Sequence, residues 1–198
     1  MKRILSFLAL ALVAVLASAC GGTSTGSTGA TGSSGSAAGF NDADVTFVQS
    51  MIPHHTQAVT MATMAASHAS SPAVKDLAAK IEAAQGPEID TMTGWLKAWG
   101  KDSTAGSSGM DGMGGMTQGS SAMPGMMGDG QMKSLDAASG AAFDQMFLTM
   151  MMSHHQGAIE MAKTEQANGK NADAVALAKK IEADQTNELA QMKDMLKS

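Results

Sequence analysis

An internal repeat constrains the fold of this chain more than any other feature. Residues 100 positions apart match without a gap, from Phe47 and Phe147 near the start of the match to Leu96 and Leu196 near its end. The matching blocks include Met51, His54-His55, Ala58, Met61-Ala62, Leu77-Ala78, Lys80 to Ala83, Gln85, Glu88 and Met92, each with its copy 100 residues later. A spacing shared over both halves indicates that one structural unit was duplicated.

Each half is predicted to form two helices. Apolar or small residues recur at helical spacing over about Asp42–His68, and again over about Ser139–Asn168. The second helix has a clear start, with Ser71 as N-cap and Pro72 at the first helical position, and it ends near Trp99. The sequence shows no convincing strand pattern. We therefore expect an all-α four-helix bundle made of two duplicated helical hairpins.

The repeats also divide the folded part of the chain. Repeat one is expected over residues 40–100 and repeat two over 133–198. Residues 101–132 between them are rich in Gly, Ser and Met, which predicts a Met/Gly-rich central loop.

The N-terminus resembles a bacterial lipoprotein signal. Lys2 and Arg3 precede an apolar run that is short for a membrane span, and small residues lead up to Cys20. We expect a signal peptide over 1–19, lipid on Cys20, and a disordered Gly/Ser/Thr-rich tether over 20–39. This predicts an extracytoplasmic domain that is lipid-anchored to the cell membrane. Ordinary signal cleavage, which would leave a free thiol, is the alternative.

Charge and cysteine content exclude several classes of function. The 198-residue chain has 18 Asp and Glu against 13 Lys and Arg, a net charge of −5, without a basic run. Such a chain is a poor candidate for nucleic-acid binding. A single cysteine excludes an internal disulfide framework and any zinc or iron–sulfur site with several Cys ligands.

Both His-His pairs fall on the apolar face of their helices. At about 100° per residue, His54 and His55 share an arc with Phe47, Met51, Ala58, Met61 and Ala62. Gln85 and Glu88 share the inward face of the second helix, and the second repeat carries the same pair. Burying four imidazoles and two carboxylates is costly unless they are paired or bound to a metal. The alternatives are a metal centre and a His–Glu/Gln network that fixes helix register, and they are compatible if the carboxylates orient the imidazoles.

Copper, most favourably as Cu(I), suits the residue types around these histidines. Thioether sulfur is soft and imidazole is borderline, whereas zinc would normally recruit Cys or carboxylate. The candidate ligands are His54, His55, His154, His155, Met51, Met61, Met151 and Met161. The candidates for supporting them are Gln85, Glu88, Gln185, Glu188, Met92 and Met192. Methionine is also an ordinary core residue, so packing is the alternative role for the helical Met.

The central loop adds methionines that lie among Gly and Ser, where no core is expected. They are Met110, Met113, Met116, Met123, Met126 and Met127. We expect them to chelate Cu(I) and pass it to the histidines. Low-complexity drift and sacrificial oxidation of thioethers are the alternatives.

These motifs resemble a known bacterial family. They are Phe47-x3-Met51-x-Pro53-His54-His55-x2-Ala58-x2-Met61-Ala62, its copy from Phe143 to Ala162, and Leu77-Ala78-x2-Ile81-x3-Gln85-x2-Glu88-x3-Met92-x2-Trp95-Leu96. Together they resemble the domain of unknown function 305 over about Asn41 to Leu196. The resemblance implies a ferritin-like fold and copper handling, because some members are secreted or periplasmic copper-binding proteins linked to copper resistance. A protein that donates or accepts copper is the partner this implies.

Three functions follow from these observations. The leading one is a membrane-tethered protein that sequesters or delivers copper. It needs no nucleophile, and the sequence shows no Ser/His/Asp or Cys/His arrangement, so we expect no enzyme. A ferritin-like dimetal redox enzyme is the second, although the chain lacks the E-x-x-H motif of such sites. A structural or partner-binding lipoprotein without metal is the third.

Overall fold

The computed structural model describes residues 39–103 and 123–197, which form five helices. They are α1 (Asp42–His68), α2 (Pro72–Trp99), α3 (Asp129–Ala137), α4 (Gly140–Asn168) and α5 (Ala172–Met195). The four long helices confirm the all-α bundle of two hairpins. The predicted signal peptide, most of the tether and Cys20 lie outside the described residues, as do Met110, Met113 and Met116.

Local sequence signals account for the helix ends. The side chain of Asn41 accepts a hydrogen bond from the backbone N–H of Asp44, whose carboxylate accepts one from the N–H of Asn41. This reciprocal capping box fixes the start of α1. Gly100, at φ +65°, ends α2 in a conformation that favours glycine. The bounds of α1, α2 and α4 agree with the prediction to within about one residue, the scatter normal for helix ends.

The short helix α3 was not predicted. The composition of residues 101–132 predicts a loop, but the last four of these residues form the start of α3. Leu135 is fully buried and Met132 packs partly against the core. A helix this short shows too few turns for a sequence period, and its stability comes from tertiary packing.

The helices α1 and α4 form an antiparallel central pair. Each also packs against the second helix of its own hairpin, α1 against α2 and α4 against α5. Asp44, near the start of α1, accepts hydrogen bonds from the backbone N–H groups of Lys170 and Asn171 at 3.0 and 2.9 Å. Asp144, near the start of α4, accepts bonds from the N–H groups of Ser70 and Ser71 at 3.1 and 2.9 Å. We call these two sets of contacts the reciprocal latches, because each hairpin binds the turn of the other.

The core divides into two apolar clusters. One contains Met51, Met92 and Ile181, and the other contains Met61, Met151 and Met192. The two His-His pairs are buried but belong to neither cluster. They lie with Gln85, Glu88, Gln185 and Glu188 in what we call the polar layer.

Among the described residues, no helix is both long and apolar enough to cross a membrane.

Candidate metal centre

Four imidazoles meet at the middle of the bundle. His54, His55, His154 and His155 are all 0% exposed. The ring centres of His54 and His154 are 3.7 Å apart, and those of His154 and His155 are 6.5 Å apart. The sequence prediction that both pairs face the interior is therefore confirmed, and the duplication brings them together.

A carboxylate holds one imidazole of each pair. The Nε2 of His55 is 2.9 Å from an oxygen of Glu88, and the Nε2 of His155 is 2.5 Å from an oxygen of Glu188. A carboxylate accepts, so each Nε2 carries the hydrogen and each Nδ1 keeps its lone pair. Both Nδ1 atoms are buried without a hydrogen-bond partner among the described residues. The pairing therefore leaves a free donor atom on each ring, the arrangement seen for metal-binding histidines.

The two remaining imidazoles differ from each other. The Nε2 of His54 donates to the backbone oxygen of Pro124 at 3.0 Å, which again leaves Nδ1 without a partner. In His154, neither ring nitrogen makes a well-aligned hydrogen bond within the described part of the chain, although the backbone of His54 lies close enough to oppose the lowering of its pKa. His154 therefore has the weakest hydrogen bonding of the four rings.

Burial keeps His54, His55 and His154 neutral. It lowers the pKa of His54 to about 4, and the nearby His55 and His155 add to the shift. Burial also lowers the pKa of His154 to about 2, with His54 as the next cause. The pKa of His55 is lowered too, although Glu88 opposes the shift. Neutral imidazole is the form that binds metals, so these side chains are ready to ligate without first losing a proton.

The rings are packed against each other and not spread around a common point. His54 and His154 are tilted by 37° at their short separation. Ring nitrogens bind metals at about 2 Å through lone pairs in the ring plane, so rings whose centres are 3.7 Å apart leave no room for an ion between them. Accordingly, no group of three or more His, Cys, Asp or Glu side chains within 39–103 and 123–197 is arranged to hold a metal ion.

The structure separates the predicted methionine ligands by distance along the helices. Met51 and Met151 are fully buried one turn before the His pairs, and each belongs to a different apolar cluster. Met61 is also fully buried, but it lies six residues beyond His55, or about 9 Å along the axis. Met161 is only half-buried and lines a surface pocket. Met51 and Met151 are therefore the methionines that adjoin the polar layer.

Of the six candidate supporting residues, the two Gln and two Glu lie in the polar layer, and one further residue joins them. Met92 and Met192 are instead fully buried in opposite apolar clusters. The side-chain oxygens of Gln85 and Gln185 are buried without a hydrogen-bond partner among the described residues. The addition is Lys180, whose Nζ lies 2.9 Å from Glu88 and 2.7 Å from Asp184. Repeat one has alanine at the position equivalent to Asp184. This difference between the repeats is the feature of the sequence that could have pointed to the Lys180 contacts.

The expectation that the loop methionines have no core to fill is wrong for Met127. It is only 8% exposed and belongs to the cluster around Phe143. Gln57 on α1 fixes it, donating to its carbonyl at 2.8 Å and accepting from its N–H at 2.7 Å. Met123 and Met126 are half-buried beside it. Sequence reasoning missed this because Gly and Ser around a methionine do not reveal a long-range contact.

Comparisons with known proteins agree with this architecture. The solved structure of a DUF305 protein from Streptomyces coelicolor, inferred to be secreted, is 30% identical with a TM-score of 0.68, over 78% of this chain and 90% of that chain. A DUF305 fragment from Deinococcus radiodurans is 25% identical with a TM-score of 0.66, over 79% and 96%. CopM in its Cu(II)-bound form is 33% identical with a TM-score of 0.64, over 78% and 95%. CopM has also been solved with Cu(I) and with silver bound.

The family comparison covers most of the sequence. No curated protein matches the chain. The family model described as Domain of unknown function (DUF305) matches residues 44–196, which include both hairpins and the polar layer. The chain therefore belongs to the DUF305 family.

Proposed function

We propose that this protein binds copper outside the cytoplasm and either sequesters it or delivers it to a partner protein. In this proposal the paired histidines are the principal ligands, Met51 and Met151 adjoin them as soft ligands, and lipid on Cys20 tethers the domain to the membrane. Met61 and Met161 lie further away and would serve a second position. The loop methionines would collect the ion.

His154 is the observation that carries the proposal. It is fully buried, and neither of its ring nitrogens makes a well-aligned hydrogen bond within the described residues. Each unsatisfied buried polar atom costs about 1–3 kcal/mol. A fixed His–Glu network would explain His55 and His155, whose Nε2 atoms are paired. It does not explain His154, whereas a bound metal ion would give its lone pair a partner.

The donor set fits a soft or borderline ion better than a dimetal oxidase site. The carboxylates in the polar layer are Glu88 and Glu188, and each already accepts from a histidine. A carboxylate on the far nitrogen of an imidazole makes the other nitrogen a better donor. When bound, copper would supply soft-ligand affinity and a choice of two oxidation states. The Cu(I), Cu(II) and silver forms of CopM support the same ion class.

Competition with a Cu(I) chelator tests the proposal on the full chain. Changing His54, His55, His154 and His155 together to Gln should weaken Cu(I) binding by more than about 100-fold, or roughly 3 kcal/mol. His68→Gln is the matched control, because His68 lies outside the polar layer and donates to the carbonyl of Ala138. Unchanged affinity in a folded quadruple variant would reject the histidine centre.

The membrane tether has a separate test. Cys20→Ser should abolish incorporation of labelled fatty acid into the protein in the producing cells, since lipidation requires the thiol. Equal labelling of the variant would show that the lipid is carried elsewhere.

A further inference from the structure

The segment that returns from the central loop runs across both central helices. We call Met123–Gly128 the return segment. Its first four residues form a turn, in which the N–H of Met126 donates to the oxygen of Met123 at 3.0 Å. Pro124 and Gly125 occupy the two central positions, and Gly125 has φ +78°. Proline followed by a glycine at positive φ is typical of a type II turn. The Pro124 carbonyl is not used by the turn and is free to accept.

Two residues on opposite helices fit the return segment to the bundle. On α1, the amide of Gln57 makes both available backbone bonds to Met127. On α4, Gly157 lies directly beneath the turn, and a β-carbon there would overlap the Pro124 carbonyl. Gly125 is equally confined, because a β-carbon on it would lie 2.5 Å from the oxygen of Ser153. Gln57 and Gly157 are repeat equivalents, so the duplicated position has been adapted differently in each half.

The turn reaches the polar layer at one ring. The Pro124 oxygen accepts from the Nε2 of His54, three residues before Gln57 on α1. Among the described residues, this is the hydrogen bond that fixes the tautomer of His54, because its Nδ1 has no partner. His54 packs against His154, and a β-carbon on Gly125 would lie 3.0 Å from the Cα and the oxygen of His154. The turn therefore contacts both residues of this ring pair.

We propose that Gln57 is a positioning residue that holds the Pro124–Gly125 turn over the histidine centre. In this role it fixes His54 with hydrogen on Nε2 and a lone pair on Nδ1, and it keeps the His54–His154 stack covered. The tautomer of His54 is a property of the metal-free protein. The covering role rests on the proposed function, with a soft monovalent ion as the ligand.

Nitrogen-15 NMR of the imidazoles tests the tautomer in the metal-free full chain. In the wild type, His54 should show hydrogen on Nε2 alone. In Gln57→Ala, the turn loses both backbone bonds, and we expect both tautomers of His54 to be populated. Gln49→Ala is the matched control, since the Gln49 amide donates to the carbonyl of Asp102 in an exposed hydrogen bond away from the turn. It should leave the His54 signals unchanged.

Gly157→Ala displaces the turn by a different route. The added methyl should push Pro124 away from α4, although alanine by itself favours a helix over glycine. Gly94→Ala is its control, because that helical glycine has open space around it. Wild-type tautomer signals for His54 in both Gln57→Ala and Gly157→Ala would overturn the proposal.

The access role has a kinetic readout. Cu(I) association should be about tenfold faster in Gln57→Ala and Gly157→Ala than in the wild type, as expected when one or two modest hydrogen bonds no longer hold the cover. Wild-type rates in both variants would overturn the covering role. If no form binds Cu(I) while the tautomer still responds, the proposed function fails and the positioning role of Gln57 stands.

Discussion

The two hairpins share their sequence blocks but use their imidazoles differently. In the first hairpin, the Nε2 of His54 donates to the carbonyl of Pro124. The carboxylate of Glu88 accepts hydrogen bonds from both His55 and Lys180. In the second hairpin, neither ring nitrogen of His154 makes a well-aligned hydrogen bond among the described residues. The carboxylate of Glu188 accepts from His155, and no lysine of the described chain lies within ion-pair distance of it. The arrangement of the four long helices is therefore symmetric, whereas the hydrogen bonding of their histidines is not. Duplication supplied a two-fold scaffold, and the return segment and a few substitutions then made the halves unequal.

Breaking the reciprocal latches should have the largest effect on stability. Asp144→Ala removes the acceptor for the N–H groups of Ser70 and Ser71 and for the hydroxyl of Ser70. Hydrogen bonds to a charged acceptor contribute about 1.5–3 kcal/mol each and are not additive, so we expect a loss of about 4 kcal/mol. Urea unfolding at pH 7 measures it.

The equivalent change in the first hairpin should cost more. Asp44→Ala removes the acceptor for the N–H groups of Asn41, Lys170 and Asn171. With its pKa raised to about 8, Glu165 is protonated at pH 7, so its favourable contact with the Asp44 carboxylate is lost as well. We expect the cost to be about 1 kcal/mol larger than that of Asp144→Ala. Asp90→Ala, on the exposed side of α2, is the control and should change little. Equal costs for the two latch variants would show that Glu165 adds nothing to its latch.

Glu165 should make stability depend on pH, and its repeat equivalent Ala65 cannot. Burial, together with Asp44, raises the pKa of Glu165 to about 8. The native state therefore keeps a proton that the unfolded chain gives up near pH 4.5, so stability falls as pH rises from there towards 8. The fall between pH 6 and pH 8 should be about 2 kcal/mol. Glu165→Gln should abolish this part of the slope in urea unfolding, and an unchanged slope would contradict the assignment.

Replacing His154, the histidine with the weakest hydrogen bonding, should stabilise the metal-free protein. His154→Leu removes two unsatisfied buried nitrogens, and we expect a gain of about 1 kcal/mol after the change of shape is counted. His155→Leu should instead destabilise by a similar amount, because it leaves Glu188 without its partner. Thermal unfolding without metal distinguishes the two. A loss of stability in both variants would mean that His154 has a structural role.

The smallest expected effect concerns the lysine on Glu88. Lys180 is 54% exposed at its side chain, so its ion pairs with Glu88 and Asp184 are worth little, and Lys180→Met should cost about 0.5 kcal/mol. Lys80→Met, at the equivalent position in repeat one, should cost less because no ion pair is seen for Lys80 within the described ranges. A larger cost for Lys80→Met would show that the asymmetry has been assigned to the wrong half. Urea unfolding of both variants decides.

The four long helices and their inward faces could be predicted well, because apolar residues recur along them at helical spacing. Helix ends such as Ser71-Pro72 and the inward face of His54 and His55 follow from local capping and helical spacing. The duplication then placed the second pair without further information. The main carboxylate partners were also recoverable, since Glu88 lies on the inward face of its helix.

What the sequence could not predict depends on contacts between distant segments. The burial of Met127 requires Gln57, 70 residues away, and the accepting carbonyl of Pro124 is a backbone atom common to any residue. The latch residues Asp44 and Asp144 did carry a signal, because they are 100 positions apart. They were missed because a carboxylate in the first turn of a helix is ordinary and usually caps its own helix.

The reciprocal latches also bear on ancestry. Each hairpin satisfies the backbone of the other through the same residue position, which is the form of contact that two identical chains make across a two-fold axis. A single-hairpin ancestor would have had this surface available for pairing with a second copy of itself. The present chain then carries a homodimer interface inside one polypeptide, and fusion of the two copies freed each half to specialise.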